Sequence, residues 1–245
     1  MIGLIVNEDK RMKYLSKMLD CIVINKLSDL IECDELVLPV QGIDSSGLCY
    51  HTNIHILDIL ATCQNLNKIY SGIINEELMR LCFKNNIKLV SYLKSDTYTY
   101  NNSILTVLGF IKYILNKDEM LLNKKIAIMG YGNLGKLLSK GFKGLNIKYD
   151  VFSIKEINEL LINNENIVKD IFEYDVIINT IPVNIINECD YFKLINTQIY
   201  DLSSYPYGFN PLKIKFEQLG SIPGKEYPYL AAKLLYEEIS RKDSW

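Results

Sequence analysis

The chain has 245 residues, 49% of them apolar and 23% charged, proportions of a globular protein with room for one large domain or two ordinary ones. Its 27 basic and 29 acidic residues leave a formal net charge of −2, which gives no reason to expect nucleic acid or an anionic membrane as the main partner. Six cysteines without a C-x-x-C pair read as reduced thiols, the opening MIGLIVNEDKR is charged too soon for a signal peptide, and no apolar run approaches the roughly 20 residues of a membrane span, so a cytoplasmic location is expected.

Residues 2–7 read as a strand, followed by a helical pattern over 10–19 with Met12, Leu15, Met18 and Leu19 on one face. Further β-like runs fall at 21–25, 35–40, 68–71 and 88–93, and helical stretches at 54–63 and 75–85. The second of these helices opens on Asn75 as its cap, with Glu76 and Glu77 in the first turn, where the helix dipole favours negative charge. Strands alternating with helices imply a mainly parallel sheet covered on both faces. A polar stretch, 94–102, precedes a strongly apolar helix over 103–116 (SILTVLGFIKYILN), placed as a connector between two domains. The second unit then reads as a strand at 125–129, a helix at 134–142, a strand at 147–152, a helix over 156–173 and strands at 175–180 and 198–202. A loop at 203–211, a short segment at 213–218 and a helix at 228–241 close the chain.

The segment KIAIMGYGNLGKLL carries G-x-G-x-x-G at Gly130, Gly132 and Gly135. In this pattern the first glycine permits the strand-to-helix turn, the second lets the backbone approach a pyrophosphate, and the third lets helix and strand pack closely. The phosphates then rest on the first helical turn, here Asn133 and Leu134, at the positive end of the helix dipole. A lone glycine triplet is weak evidence, but this one follows an apolar strand, opens an amphipathic helix and precedes a second strand. The expected fold is α/β: two Rossmann-like domains with mainly parallel sheets, an N-terminal one over 1–100 and a dinucleotide-binding one over 124–227. A linker helix, 101–123, joins them, and the C-terminal helix 228–241 is available to pack on the first domain.

NAD-specific folds place Asp or Glu at the end of the second strand, on the ribose 2′-hydroxyl. Here that end reads Val151, Phe152, Ser153, Ile154, Lys155, and Asp150 falls too early. Ser153 and Lys155 could meet a 2′-phosphate instead, which favours NADP while leaving NAD open, and Lys136, Lys140, Lys143 and Lys148 add basic charge nearby. Thr180 and Pro182 of NTIP and Ser203 of DLSS end the next two strands, where ligands of open α/β sheets collect. His51 and His55 read as i,i+4 neighbours on a helix surface, with no third ligand pattern to make a metal site.

Several shorter pieces fall into a definite order. Asp9 and Arg11 form an Asp-x-Arg turn after the first strand; ELVLPV leads to Ser45, Ser46 and Gly47; Ser71-Gly72 ends a later strand. Asn102-Ser103-Ile104-Leu105-Thr106 with Gly109, then GYGNLG, NTIP, DLSS and Ile222-Pro223-Gly224 follow. In this order, nearly end to end, the chain resembles the family of dipicolinate synthase A, the pyridine-nucleotide-binding component of that enzyme in spore-forming bacteria. The resemblance implies an oxidoreductase that oxidises a dihydro- or hydroxy-tetrahydrodipicolinate, a small dicarboxylate, with NADP (or NAD), beside a second, flavoprotein subunit. It also implies that Asp9, Arg11, Ser45, Ser46, Asn102, Ser103 and Thr106 face the nicotinamide across an interdomain cleft, with Arg11 as the carboxylate anchor.

Departures from the family pattern fall on the substrate side. Asn7 and Glu8 replace glycines before Asp9, Leu108 stands where the family has Glu, Tyr205-Pro206-Tyr207-Gly208 replaces Arg-Pro-Gly-Gly, and Tyr229 stands where the family has Lys. Because dicarboxylates are held by Arg and Lys, two other readings stay open: a non-catalytic nucleotide-binding subunit of a complex, and a related dehydrogenase with another small carboxylate substrate. A homo-oligomer is also open, since the tyrosines within 191–229 would suit an interface.

Overall fold

The computed structural model describes residues 1–153, 167–168, 170–204 and 207–241. They divide into two compact units, Met1–Asn102 with Pro223–Trp245, and Ser103–Ile222. Lys155, most of the helix expected over 156–173 and the pair Tyr205-Pro206 lie outside the described residues, and residues 170–173 are not helical.

The first unit holds strands β1 (Ile2–Leu4), β2 (Cys21–Val23), β3 (Glu35–Val37), β4 (Lys68–Ser71) and β5 (Lys88–Ser91), with helices α1 (Lys10–Leu15), α2 (Ile56–Thr62), α3 (Glu76–Lys84) and the start of α4 (Asp96–Lys117). The second unit continues α4 and adds β6 (Ile126–Met129), α5 (Asn133–Gly144), β7 (Asp150–Phe152), β8 (Ile167–Val168), β9 (Val176–Asn179), β10 (Gln198–Asp201) and β11 (Glu217–Gln218). Helix α6 (Ile222–Glu226) crosses back into the first unit, which α7 (Pro228–Ser240) completes.

Both sheets are parallel throughout, in the orders β2-β1-β3-β4-β5 and β11-β10-β9-β6-β7-β8. Neighbouring residues of a strand point to opposite faces, so each sheet builds two cores. In the first unit Leu36 and Ile69 join the residues of α2 and α3, while Val37 and Tyr70 join Met12 and Leu15 of α1 and Ala232, Leu235 and Ile239 of α7. In the second, Ile126, Ile128, Val176 and Ile178 pack under Phe110 and Ile114 of α4 and Leu138 and Phe142 of α5. Ala127, Met129, Ile177 and Ile199 face the other way, onto Tyr174, Tyr191 and Leu194.

Three local readings change. Helix α4 begins at Asp96, inside the stretch expected to be a polar loop, because the Ser95 hydroxyl accepts the Tyr98 N–H at 3.2 Å and Tyr98 is buried in the first unit's core. A single buried aromatic outweighs the polar sequence around it. Helix α1 ends at Leu15, with Met18 and Leu19 reaching the same core from the turn that follows. The tyrosines read as suiting an interface divide: Tyr191 and Tyr200 are buried, whereas Tyr229 is exposed and its ring meets Tyr14 edge-on at 5.7 Å. Among the described residues no helix is long and apolar enough to cross a membrane.

Phe142 is fully buried between α5 and the β6 face and packs edge-on against Tyr149. Phe142→Ala is expected to lower stability by about 3–5 kcal/mol, measured by urea unfolding.

Candidate functional site

The second sheet changes direction at β6: the chain runs outward through β7 and β8 on one side, then returns to lay down β9 and β10 on the other. Ligands of open parallel sheets bind beyond the strand ends at such a switch point, and the glycine loop sits there. Gly130 follows β6 with φ +101°, a conformation few L-residues adopt, and a Cβ on it would lie 2.5 Å from the Thr180 hydroxyl. A Cβ on Gly135 would lie 2.2 Å from the Gly130 carbonyl oxygen. These two glycines are therefore demanded by the protein's own packing.

Gly132 is different. It is exposed, it is the N-cap of α5 with ordinary negative φ, and a Cβ there would meet nothing within 4 Å. No side chain caps α5, which leaves first-turn N–H groups for solvent or a ligand. An uncapped twelve-residue helix behind an unfilled glycine fits a bound pyrophosphate. Lys136, one turn into α5, lies 5.9 Å from the ring of buried Tyr131. Ser153 follows β7 and is half-buried. Asp150, at the start of that strand, accepts the Tyr174 hydroxyl at 2.7 Å, so its carboxylate is engaged well before the strand end.

Beyond β9, Thr180 donates both its N–H and its hydroxyl to the Met129 carbonyl, at 2.8 and 2.9 Å, which ties this loop to the glycine turn. Asn179 and Asp201, the last residues of β9 and β10, are fully buried and joined at 2.9 Å. Pro182 is exposed and Ser203 buried. Thr180, Pro182 and Ser203 are legible in the sequence as strand-end residues; the Asn179–Asp201 pairing beside them is not. The available signal is an Asn and an Asp closing two adjacent apolar strands, VIIN and QIYD.

In the first unit, Asp9 caps α1 by accepting the Arg11 N–H at 2.9 Å, and its carboxylate then receives the Arg11 Nε at 3.0 Å and Nη2 at 2.6 Å. Arg11 is only 4% exposed. Burial alone would lower its pKa, but the Asp9 carboxylate raises it overall. Arg11 is therefore a buried arginine whose Nε–Nη2 edge faces Asp9. Tyr98 lies in the same environment; burial pushes its phenol up to about 12, and the charge of Arg11 opposes the shift. Gly224, from the distant Ile222-Pro223-Gly224 piece, backs onto this pair: a Cβ there would lie 2.7 Å from Arg11 Nε and 3.0 Å from Asp9 Oδ1.

Ser45 and Ser46 are exposed in a loop organised by Asp44, whose Oδ1 accepts the Ser46 hydroxyl and N–H at 2.7 and 2.8 Å. His55 latches the same loop: its Nδ1 accepts the Leu57 N–H as the α2 cap, and its Nε2 lies 2.8 Å from the Ser46 carbonyl. His51 sits in a turn with φ +56°, so the two histidines do not share a helix face. No metal-binding cluster of His, Cys, Asp or Glu occurs among the described residues. Asn102 and Thr106 lie one turn apart on α4, with Ser103 between them, all half-buried. Asp9, Arg11, Ser45, Ser46 and Asn102 thus belong to the first unit, and Ser103, Thr106 and the glycine-loop residues to the second.

No protein-family model matches the chain, nor does any curated protein. Among solved structures it is similar to dipicolinate synthase A from Bacillus halodurans, with 21% identity, a TM-score of 0.84 and coverage of 97% of this chain and 96% of that one. It is similarly close to the A chain of dipicolinate synthase from Bacillus subtilis, at 22% identity and TM-score 0.80, covering 98% of this chain and 94% of that one. D-lactate dehydrogenase from Escherichia coli shares the fold at 11% identity and TM-score 0.65, over 98% and 94% of the two chains. At these identities the likeness establishes a common fold.

The two kinds of glycine separate in experiment. Gly132→Ala is expected to change stability by no more than about 1 kcal/mol yet weaken calorimetric NADPH binding roughly tenfold. Gly135→Ala, which drives a methyl into a backbone carbonyl, should cost about 1–3 kcal/mol in thermal unfolding. In the first unit, Arg11→Ala should cost about 3–5 kcal/mol by leaving the Asp9 carboxylate buried without its partner; an unchanged urea midpoint would mean that the pair is not structural.

Proposed function

We propose that the chain is the nicotinamide-dinucleotide-binding subunit of a dipicolinate synthase, oxidising a dihydro- or hydroxy-tetrahydrodipicolinate to dipicolinate in sporulating cells. The observation that carries this reading is the uncapped start of α5 behind Gly132, at the switch point of a parallel sheet. The end-to-end likeness of fold to two dipicolinate synthase A structures supports it.

The bound dinucleotide supplies the hydride acceptor. Gly130, Gly132 and Gly135, with the N–H groups of Asn133 and Leu134, hold its pyrophosphate against the positive end of α5. Ser153, with Lys155 beyond it, takes a 2′-phosphate in place of the acidic residue an NAD-specific site would use, so NADP is the favoured cofactor. Thr180, Pro182 and Ser203 line the nicotinamide side. Oxidising the dihydro compound removes a hydride and a proton, and the hydroxy-tetrahydro compound also loses water. Asn102, Ser103 and Thr106 orient the substrate ring, while Asp9 and Arg11, with Ser45 and Ser46, build the wall that receives its carboxylates. A second, flavoprotein subunit is the expected partner.

One observation favours a second reading, a nucleotide-binding subunit without a substrate site of its own. The Nε–Nη2 edge of Arg11 is already taken by Asp9, and Leu108 and Tyr229, which stand in for an acid and an amine, are half-exposed and carry neither charge.

Calorimetric titration of the purified chain with NADPH and NADH tests the first step: NADPH is expected to bind the more tightly, and a chain that binds neither is not a dinucleotide protein. Turnover of dihydrodipicolinate with the flavoprotein partner then separates the readings. Cofactor binding without turnover, alone or in the complex, selects the second.

A further inference from the structure

The strand ends of the second unit contain a buried polar network that the glycine motif does not explain. Asn179 and Asp201 lie opposite each other in the β9–β10 register, and both are 0% exposed. The Asn179 amide donates to Asp201 Oδ1 at 2.9 Å and to the Ile181 carbonyl at 2.9 Å, while its oxygen accepts the Ile181 N–H at 3.0 Å. Asp201 Oδ1 also accepts the Ser203 N–H at 2.9 Å, and Oδ2 accepts the Gly208 N–H at 2.9 Å. Gly208 is held so closely that a Cβ there would lie 2.0 Å from Asn179 Nδ2.

Ile181, Ser203 and Gly208 are therefore all tied to one side-chain pair. A carboxylate suits the Asp201 position because both its oxygens accept, whereas an Asn would turn an NH2 group toward an N–H donor. Within this arrangement the Ser203 hydroxyl is buried and makes no hydrogen bond among the described residues. Buried polar groups are almost always paired, so an unpaired hydroxyl beside a rigid network suggests a ligand group. It lies on the β9–β10 side of the switch point, opposite the β7 side that carries the adenosine half in this fold.

We infer that Asp201, with Asn179 and Gly208, positions the Ser203 hydroxyl to hydrogen-bond the carboxamide of the nicotinamide ring. Asp201 is a positioning residue that acts through Ser203, and the inference rests on the dinucleotide reading above. The ligand group is a planar primary amide, which offers Ser203 both a donor and an acceptor.

Calorimetry on the full-length chain tests this with NADPH and NADH against the matching fragments that lack nicotinamide, 2′-phospho-ADP-ribose and ADP-ribose. The wild type is expected to bind the dinucleotide more tightly than its fragment. Ser203→Ala and Asp201→Asn should each weaken dinucleotide binding roughly tenfold, the value of about one hydrogen bond, with fragment affinity unchanged. A purely structural network would lower both affinities together, and that result, or no change in either, overturns the role. Ser203→Ala removes only a hydroxyl, so it carries the test by itself if Asp201→Asn fails to fold. A wild type that binds neither dinucleotide nor fragment overturns the underlying cofactor reading, and this role with it.

Discussion

The contact between Gly135 and the carbonyl of Gly130 sets the geometry from which the rest of the second unit follows. A helix can approach a strand end this closely only where neither residue carries a Cβ in the gap, and here a Cβ on Gly135 would lie 2.2 Å from that carbonyl oxygen. The approach brings the start of α5 up to the end of β6, so that the helix dipole and its first N–H groups open at the carboxyl ends of the strands. The same turn is braced from the other side by Thr180, whose N–H and hydroxyl both reach the Met129 carbonyl. Any side chain at Gly130 would strike that hydroxyl. Glycine turn, helix start and β9 loop therefore form one constrained object.

Much of this was legible in the sequence because its physical demands are local. The β6–α5 turn needs glycine at fixed spacing, apolar runs of four or five residues mark buried parallel strands, and Asn75 before two glutamates marks a helix start. What the sequence concealed depends on pairs far apart in the chain. Tyr98 starts α4 early only because the first unit's core has a place for it. His55 resembled a helix-surface residue, yet its ring closes a loop onto the Ser46 carbonyl nine residues earlier. Gly224 gave no sign that it would back onto Asp9 and Arg11, at the other end of the chain. Local pattern fixes element type well, but it says little about which polar side chains spend their hydrogen bonds on each other.

That distinction matters most at the candidate site residues. An arginine just after a strand end invites a role as carboxylate anchor. In the structure the guanidinium has already found a carboxylate two residues away, inside a pocket shared with Tyr92 and Tyr98. A buried pair of this kind contributes little net stability beyond an apolar replacement, but breaking it is costly. It serves to hold the β1–α1 turn in a single arrangement. Of the two bidentate edges of the guanidinium, the Nε–Nη2 edge is committed to this turn.

Asp9 and Asp201 solve the same problem in opposite ways. Asp9 is neutralised by a cation on its own helix, so the charge is balanced within one turn and the result is a rigid corner. Asp201 is fully buried, and its oxygens are met by an amide and two backbone N–H groups drawn from β9 and from the loop after β10. A carboxylate satisfied by neutral donors from several segments ties those segments together, and removing any one donor loosens the others. Such a centre is well suited to fixing loops beside a ligand, because it defines their spacing while its own oxygens stay turned inward. The Ser203 hydroxyl, carried by the residue whose N–H Asp201 holds, inherits that precision.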